Sequence, residues 1–351
     1  VNPEILIVGQ GLAGTTLALQ LQRSGIPFLV VDNPNISRSS RVAAGLFNPV
    51  VFKRMNLGWR THDCLKEAIS FYRFVEQLTE SSFCHANGMH RIHGSADERK
   101  LWEERLLELG WEHHIEDTLP AENHPWINQP YNGARVKSAG YINTLEYLHS
   151  VGNWLKNQHL LIEATFQYEA LRTSEPMLQW QDHQFNKVVF CEGFKLAENP
   201  WFPESYLNPA KGEVLIIEAP DLPQEVINGK VYCVPLGNNR FKVGSTYAWN
   251  QSNPLPTEEK KQELIQTLQK MLCVPFEVID HEAGIRPTVI DRRPIFGAST
   301  LHPNIFAFNG LGTKGVVLAP LLSKEIAQFF LDGSPIPEDY SIERFQWKQQ
   351  H

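Results

Sequence analysis

The run Ile5-Leu6-Ile7-Val8 leads without a polar residue into Gly9-Gln10-Gly11-Leu12-Ala13-Gly14. A helix-forming stretch opens directly behind it, and the next apolar run, Phe28-Leu29-Val30-Val31, ends on Asp32. Strand, Gly-x-Gly-x-x-Gly turn, helix and second strand make a βαβ unit in which each glycine has a physical task. Gly9 permits the tight turn, Gly11 lets a pyrophosphate approach the backbone, and Gly14 lets helix and strand pack closely. The free N–H groups and the dipole at the helix start favour a phosphate there. Asp32, eighteen residues beyond Gly14, sits where an acid accepts a hydrogen bond from an adenosine ribose. An ordinary βα turn can carry the same glycines, but strand, helix and acid all occupy their required places. The segment therefore reads as a dinucleotide site.

A chain of 351 residues is too long for one simple core and suits two domains, which need not be consecutive. A net charge of −7 argues against a generally nucleic-acid- or anionic-membrane-binding surface, though not against a local basic patch. Cys64, Cys84, Cys191, Cys233 and Cys273 are dispersed without a Cys-x-x-Cys pair, which reads as reduced thiols in a reducing compartment. His90-x-x-His93 and His113-His114 lack completing ligands, so no metal is expected. No apolar run approaches the ~20 residues of a membrane span, and no signal peptide precedes the first strand. A cytoplasmic location is the default expectation.

Hydrophobic periodicity predicts helices over 12–24, 61–80, 96–109, 143–157 and 257–272, with a closing helix running to about 331. Strands are expected over 27–31, 159–164, 187–190, 213–218, 230–234, 240–246 and 304–308. Pro320 should kink the closing helix or mark its true first turn. The β-rich blocks 81–137 and 213–282 interrupt the βα pattern twice, so a second domain built from two insertions is expected.

Three further stretches narrow the reading. The run Lys187-Val188-Val189-Phe190-Cys191-Glu192-Gly193 ends on a glycine where a parallel strand would approach a cofactor. The block from Ala283 to Gly297 contains Gly284-Ile285-Arg286-Pro287-Thr288, then Asp291 and Pro294-Ile295-Phe296-Gly297. Behind the last strand comes Gly310-Leu311-Gly312-Thr313-Lys314-Gly315, with Ala319-Pro320 following. Together with the Ser-rich loop Ser39-Ser40-Arg41-Val42-Ala43-Ala44-Gly45, these motifs resemble, in order and over nearly the whole chain, the FAD-dependent amine and amino-acid oxidoreductases typified by D-amino-acid oxidase, glycine oxidase and sarcosine oxidase.

The resemblance implies non-covalent FAD and an α/β fold. A Rossmann-like FAD domain would come from 1–80, 138–212 and 283–351, and an interleaved antiparallel-sheet substrate domain from 81–137 and 213–282. It implies that Gly9, Gly11, Leu12, Ala13 and Gly14 hold the pyrophosphate and Asp32 the ribose, with Asn33 beside it. Ser40, Arg41, Ala44, Gly45 and Leu46 would follow the dinucleotide to the flavin. Phe166 would meet the adenine end through its backbone, Glu192 and Gly193 would close on the cofactor, and Gly310 to Gly315 would cover the flavin ring.

The implied activity is oxidation of a C–N bond in a small amine or amino acid by hydride transfer to flavin, the imine then hydrolysing and the electrons passing to oxygen or another acceptor. Three side chains are candidates for that chemistry. Arg286 matches a carboxylate-clamping arginine, a guanidinium being suited to paired hydrogen bonds; the plainer reading is an ion pair with an acid such as Glu282. Tyr232 is either a substrate-facing tyrosine or an ordinary strand aromatic. Lys314 is either a cation that stabilises negative charge on the reduced ring or a solvated loop lysine.

Two departures, Asn48-Pro49 after Gly45-Leu46-Phe47 and Thr313-Lys314 in the flavin loop, look closer to the FAD module of the bacterial enzyme that oxidises carboxymethylaminomethyl-uridine on tRNA. A tRNA-modifying oxidoreductase ringed by Lys53, Arg54, Arg292 and Arg293 is therefore the second reading. A non-catalytic flavin-binding protein is the third.

Overall fold

The computed structural model describes residues 3–36, 38–120, 124–173, 177–202, 206–249, 251 and 253–345. The ends of the expected FAD segments, 1–2 and 346–351, lie outside them.

The first βαβ unit forms as its glycines require. Strand Ile5–Val8 runs into helix Leu12–Arg23, which closes at Ser24 with Gly25 in the left-handed region. Five parallel strands lie in the order Leu161–Glu163, Phe28–Asp32, Ile5–Val8, Lys187–Phe190 and Ile305–Asn309, and Ile295–Ala298 adds an antiparallel edge. Strands buried on both faces need apolar residues at every position, and Ile5–Val8 and Phe28–Val31 supply them. Ile5, Ile7 and Val30 point to one core, packed under Leu12–Arg23, Thr61–Thr79, Thr144–Asn157 and Gly315–Asp332. Leu6, Val8 and Val31 point to the other, closed by Leu178, Trp180, Phe185 and Phe345. From Ile5–Val8 the chain builds outward in both directions, so its C-terminal end is a topological switch point, where doubly wound sheets open a crevice.

The β-rich blocks meet in a nine-stranded sheet. Ala210–Glu218 pairs with Arg240–Gly244 on one side and with Glu277–Arg286 on the other. Tyr232–Gly237 and Ile227–Asn228 continue the sheet, and Met89–Ile92, Gly133–Val136 and Ile115–Leu119 complete it. The strands Ala210–Glu218 and Glu277–Arg286 run across positions 212/213 and 282/283, where the two domains were expected to divide. Their ends, Gly212 and Arg286, consequently reach the crevice of the parallel sheet.

Two expectations are corrected. The helix expected over 96–109 stops at Leu106, because Leu107 and Leu109 find no core and lie exposed beside Gly110 in the left-handed region. Pro320 is not in a first turn, since the closing helix begins at Gly315. Its carbonyl instead accepts a hydrogen bond from the buried Gln20 side chain, 3.1 Å away, tying the closing helix to the first one.

Candidate active site

A cavity of about 510 Å³ opens at the C-terminal ends of the parallel strands and extends to the antiparallel sheet. Its first wall is the glycine turn. Gly9 has φ +103°, and a Cβ there would come within 2.7 Å of the Cys191 carbonyl oxygen. A Cβ on Gly14 would lie 1.8 Å from the Gly9 carbonyl oxygen, so Gly14 faces inward and packs helix on strand rather than lining the cavity. Gly11 does line it, with only the Ser40 hydroxyl, at 3.3 Å, near the space a Cβ would take. That hydroxyl accepts a hydrogen bond from the Leu12 N–H, the first donor of the helix.

Asp32 lies at the strand end and lines the cavity. One carboxylate oxygen accepts from the Gln10 N–H at 2.9 Å, and the other is paired with the Arg38 guanidinium. Arg38 also donates to the Gln10 and Asn33 carbonyls. Of the two arginines of this loop, Arg38 faces the cavity. Arg41, the one expected there, is turned away to the Pro34 carbonyl. The short helix Ser39–Val42 fixes this: within it, Ser39, Ser40 and Val42 line the cavity and Arg41 points outward.

Asn33, Ala44, Gly45, Leu46, Phe166, Glu192 and Gly193 all line the cavity, as does Ala13. Phe166 lies flat on Trp180, centroids 5.2 Å apart. Glu192 is held by Tyr168 Oη and Asn199 Nδ2, each at 2.7 Å. Burial raises its carboxyl above the usual range, and those two hydrogen bonds oppose the rise. Leu311, Gly312, Thr313, Lys314 and Gly315 line the far side. Gly310 does not: it makes the turn at φ +76° against Val289, and its neighbour Asn309 takes the lining position.

The antiparallel sheet contributes Gly212, Val214, Tyr232, Ser245, Gly284 and Arg286. Arg286 is opposite Ala210 in register, and its guanidinium lies over Gly212, where a Cβ would sit 2.0 Å from Nη2. Nη2 donates to Ser245 Oγ at 2.7 Å, while Nη1 is buried and has no partner among the described residues. The ion pair with Glu282 does not form, because Glu282 pairs with Lys242 at 3.3 Å. Burial lowers the pKa of Arg286, with Tyr232 and Tyr247 opposing, and a guanidinium remains charged at any ordinary pH.

Tyr232 adjoins Arg286. Burial pushes its phenol up to about 12, against the pull of Arg286 and of a hydrogen bond with Ser245. Lys314 is partly buried. Its Nζ comes within 2.7 Å of the space a Cβ would take on Gly58, and burial lowers its pKa while Cys64 pulls the other way.

Sequence reasoning missed Gln10, Arg38, Tyr168, Gly212 and Ser245. Only Gln10 carried a local signal, as the first variable position of the glycine motif.

The residues fit a dinucleotide that ends in a polar reaction site. The glycine turn is clear of side chains at Gly11, an acid waits at the strand end, and two buried polar atoms on the lining, Asn48 Oδ1 and Arg286 Nη1, have no partner within the described protein. Comparison with known proteins gives the same class. The chain belongs to the FAD dependent oxidoreductase family (DAO), whose model matches residues 4–329.

The chain is therefore an FAD-dependent oxidoreductase. It is 24% identical over 350 residues to the tRNA 5-methylaminomethyl-2-thiouridine biosynthesis bifunctional protein MnmC of Marinobacter nauticus, covering 92% of this chain and 54% of that one. It thus spans little more than half the length of that relative. Its fold matches glycine oxidase from Geobacillus kaustophilus with a TM-score of 0.79 at 19% identity, over 96% of both chains. Iminodiacetate oxidase from Chelativorans sp. BNC1 matches with a TM-score of 0.80 at 17% identity, over 96% of this chain and 98% of that one. No helix among the described residues is long and apolar enough to cross a membrane.

Proposed function

We propose that this protein oxidises a C–N bond in an amine that bears a carboxylate, an amino acid or N-substituted amino acid. The observation that carries the reading is Arg286: a buried guanidinium on the cavity wall, without a carboxylate partner among the described residues and with Nη1 unsatisfied. A buried charge left in that state is costly, and a substrate carboxylate supplies the missing acceptor through paired charge-assisted bonds. The names of the two structural neighbours, glycine oxidase and iminodiacetate oxidase, support an amine carboxylate.

Non-covalently held FAD supplies the two-electron acceptor, and the amine becomes an imine that water hydrolyses. The chain's own residues bind and orient. The turn from Gly9 to Gly14 and the Asp32 carboxylate hold the dinucleotide, with Ser40 and Arg38 alongside. Arg286 fixes the carboxylate end of the amine, Ser245 fixes Arg286, and the Tyr232 hydroxyl lies beside both as a neutral phenol. Lys314 places a positive charge in the loop that closes the cavity, where it favours negative charge on a bound ring. Oxygen or another carrier then takes the electrons.

Anaerobic bleaching of the bound flavin by glycine, sarcosine, D- and L-amino acids and simple amines tests the reading. A carboxylate-bearing amine should bleach it, and Arg286→Ala should raise the half-saturating concentration by roughly 10- to 150-fold, the loss of about 1.5–3 kcal/mol of charged hydrogen bonding. Amines without a carboxylate bleaching equally well would overturn it. A second reading, action on a modified nucleoside in tRNA, is favoured by the name of the Marinobacter nauticus relative. It requires bleaching by a carboxymethylaminomethyl-uridine that no free amino acid matches.

A further inference from the structure

Among the described residues, three acids line the cavity and no histidine does. Asp32 is paired with Arg38, and Glu198 is exposed. Glu192 is in neither position. It is half-buried on the cavity wall, with Tyr168 Oη on one carboxyl oxygen and Asn199 Nδ2 on the other, each at 2.7 Å. Both donors are neutral.

The strand before it fixes where it stands. Lys187–Phe190 runs parallel to Ile5–Val8, with Phe190 beside Val8, and the Cys191 N–H donates to the Val8 carbonyl at 2.8 Å. Glu192 therefore leaves the sheet level with Gly9, its Cα 3.7 Å from the space a Cβ would take there. That is the turn at which free N–H groups and the helix dipole favour a phosphate. A carboxylate beside a phosphate works against the ligand, because like charges repel most where little water is left to screen them.

We propose that Glu192 takes up a proton when FAD binds, so that the pyrophosphate sits beside a neutral acid and the hold on FAD weakens as pH rises. This concerns the cofactor alone and is independent of which amine is oxidised. One proton passes from solvent to a Glu192 carboxylate oxygen as FAD enters and returns to solvent as FAD leaves.

The groups around Glu192 pull in both directions. Burial raises its pKa, the Asn199 and Tyr168 hydrogen bonds lower it, Lys195 lowers it and Glu198 raises it. Cys191, before it on the chain, is kept a neutral thiol by burial, and the opposing turn from Gly9 to Gly14 carries no titratable side chain. A bound pyrophosphate adds a further upward pull. Below the pKa of the FAD-free protein, Glu192 is protonated with or without FAD, and affinity is level. Above it, binding must draw a proton from solution, so affinity falls by about tenfold per pH unit until the pKa of the FAD-bound protein is passed.

Diluting the FAD-loaded protein and following the fluorescence of released FAD gives Kd across a range of about pH 5 to 9, over which FAD has no titrating group of its own. For the native protein Kd should be level on the acid side and then rise by about tenfold per pH unit. Glu192→Gln keeps the size and an acceptor oxygen, so it should abolish the rise and hold FAD on the alkaline side as tightly as the native protein does in acid. Tyr168→Phe removes a hydrogen bond that lowers the Glu192 pKa, and should move the break to higher pH. A merely structural loosening would weaken binding equally at every pH. A pH-independent Kd for the native protein would overturn the proposal. So would a rise that persists in Glu192→Gln, which would assign the linkage to another group such as Lys314. Should Glu192→Gln fail to fold, the Tyr168→Phe break decides: one at or below the native pH would equally overturn it.

Discussion

At the scale of single residues, two glycines of this site do opposite work, and alanine should separate them. A Cβ on Gly14 meets the Gly9 carbonyl oxygen at 1.8 Å, a backbone atom that cannot swing aside. Gly14→Ala should therefore cost at least about 1–3 kcal/mol of stability by overpacking and release the cofactor, seen as a lowered Tm and protein purified without flavin. The three atoms nearest a Cβ on Gly212 all belong to the guanidinium of Arg286, with Nη2 at 2.0 Å. That group ends a flexible side chain and can move. Gly212→Ala should stay within about 1 kcal/mol of the native stability, keep its flavin, and bind carboxylate-bearing amines roughly 10- to 150-fold more weakly, the loss expected for displaced charged hydrogen bonds. Thermal melts and flavin titrations on the same sample check both halves.

Between elements, the short helix Ser39–Val42 is held in place from the other sheet. Lys242, buried on Arg240–Gly244, donates to the Val42 carbonyl at 3.2 Å and pairs with Glu282 at 3.3 Å. Burial lowers its pKa, and Glu282 opposes that. Lys242→Met keeps the apolar stem but leaves the Val42 carbonyl and the Glu282 carboxylate without this partner. The expected cost is about 1–3 kcal/mol, together with a weaker hold on FAD, because Ser40 and Arg38 belong to the segment that is loosened. Equilibrium unfolding and fluorescence of released flavin measure the two effects. Unchanged flavin affinity in a destabilised variant would show that the clamp supports the fold alone.

At the scale of the whole molecule, acid stability should depend on His90. Its ring is buried, Nε2 lies 2.7 Å from Gln129 Oε1, and burial lowers its pKa from 6.5 to about 4, with the Gln129 hydrogen bond opposing. A depressed histidine pKa means that below pH 6.5 the unfolded chain takes up a proton that the folded chain refuses. Stability then falls as pH drops, by up to about 3 kcal/mol between pH 6.5 and 4, and is unaffected by this group above pH 7. Urea melts across that range should show a shallower slope for His90→Gln.

What sequence alone determined is local. The turn of Gly9, Gly11 and Gly14 with Asp32, and the alternation of the helices, follow from backbone sterics and burial within about thirty residues. The expectation that Arg286 clamps a carboxylate came from the family resemblance of its motif, and its place on the cavity wall from the fold. What only the tertiary structure decided is which groups face one another. The choice of Arg38 over Arg41 depends on the pitch of one helical turn. The freedom of Arg286 from Glu282 depends on Lys242, which reaches Glu282 from another strand. Arg286 and Trp249 flank one strand because both stand opposite Ala210 in register. Such pairings join residues tens to hundreds of positions apart, where strand register and burial decide what meets, and no local pattern in the chain records them.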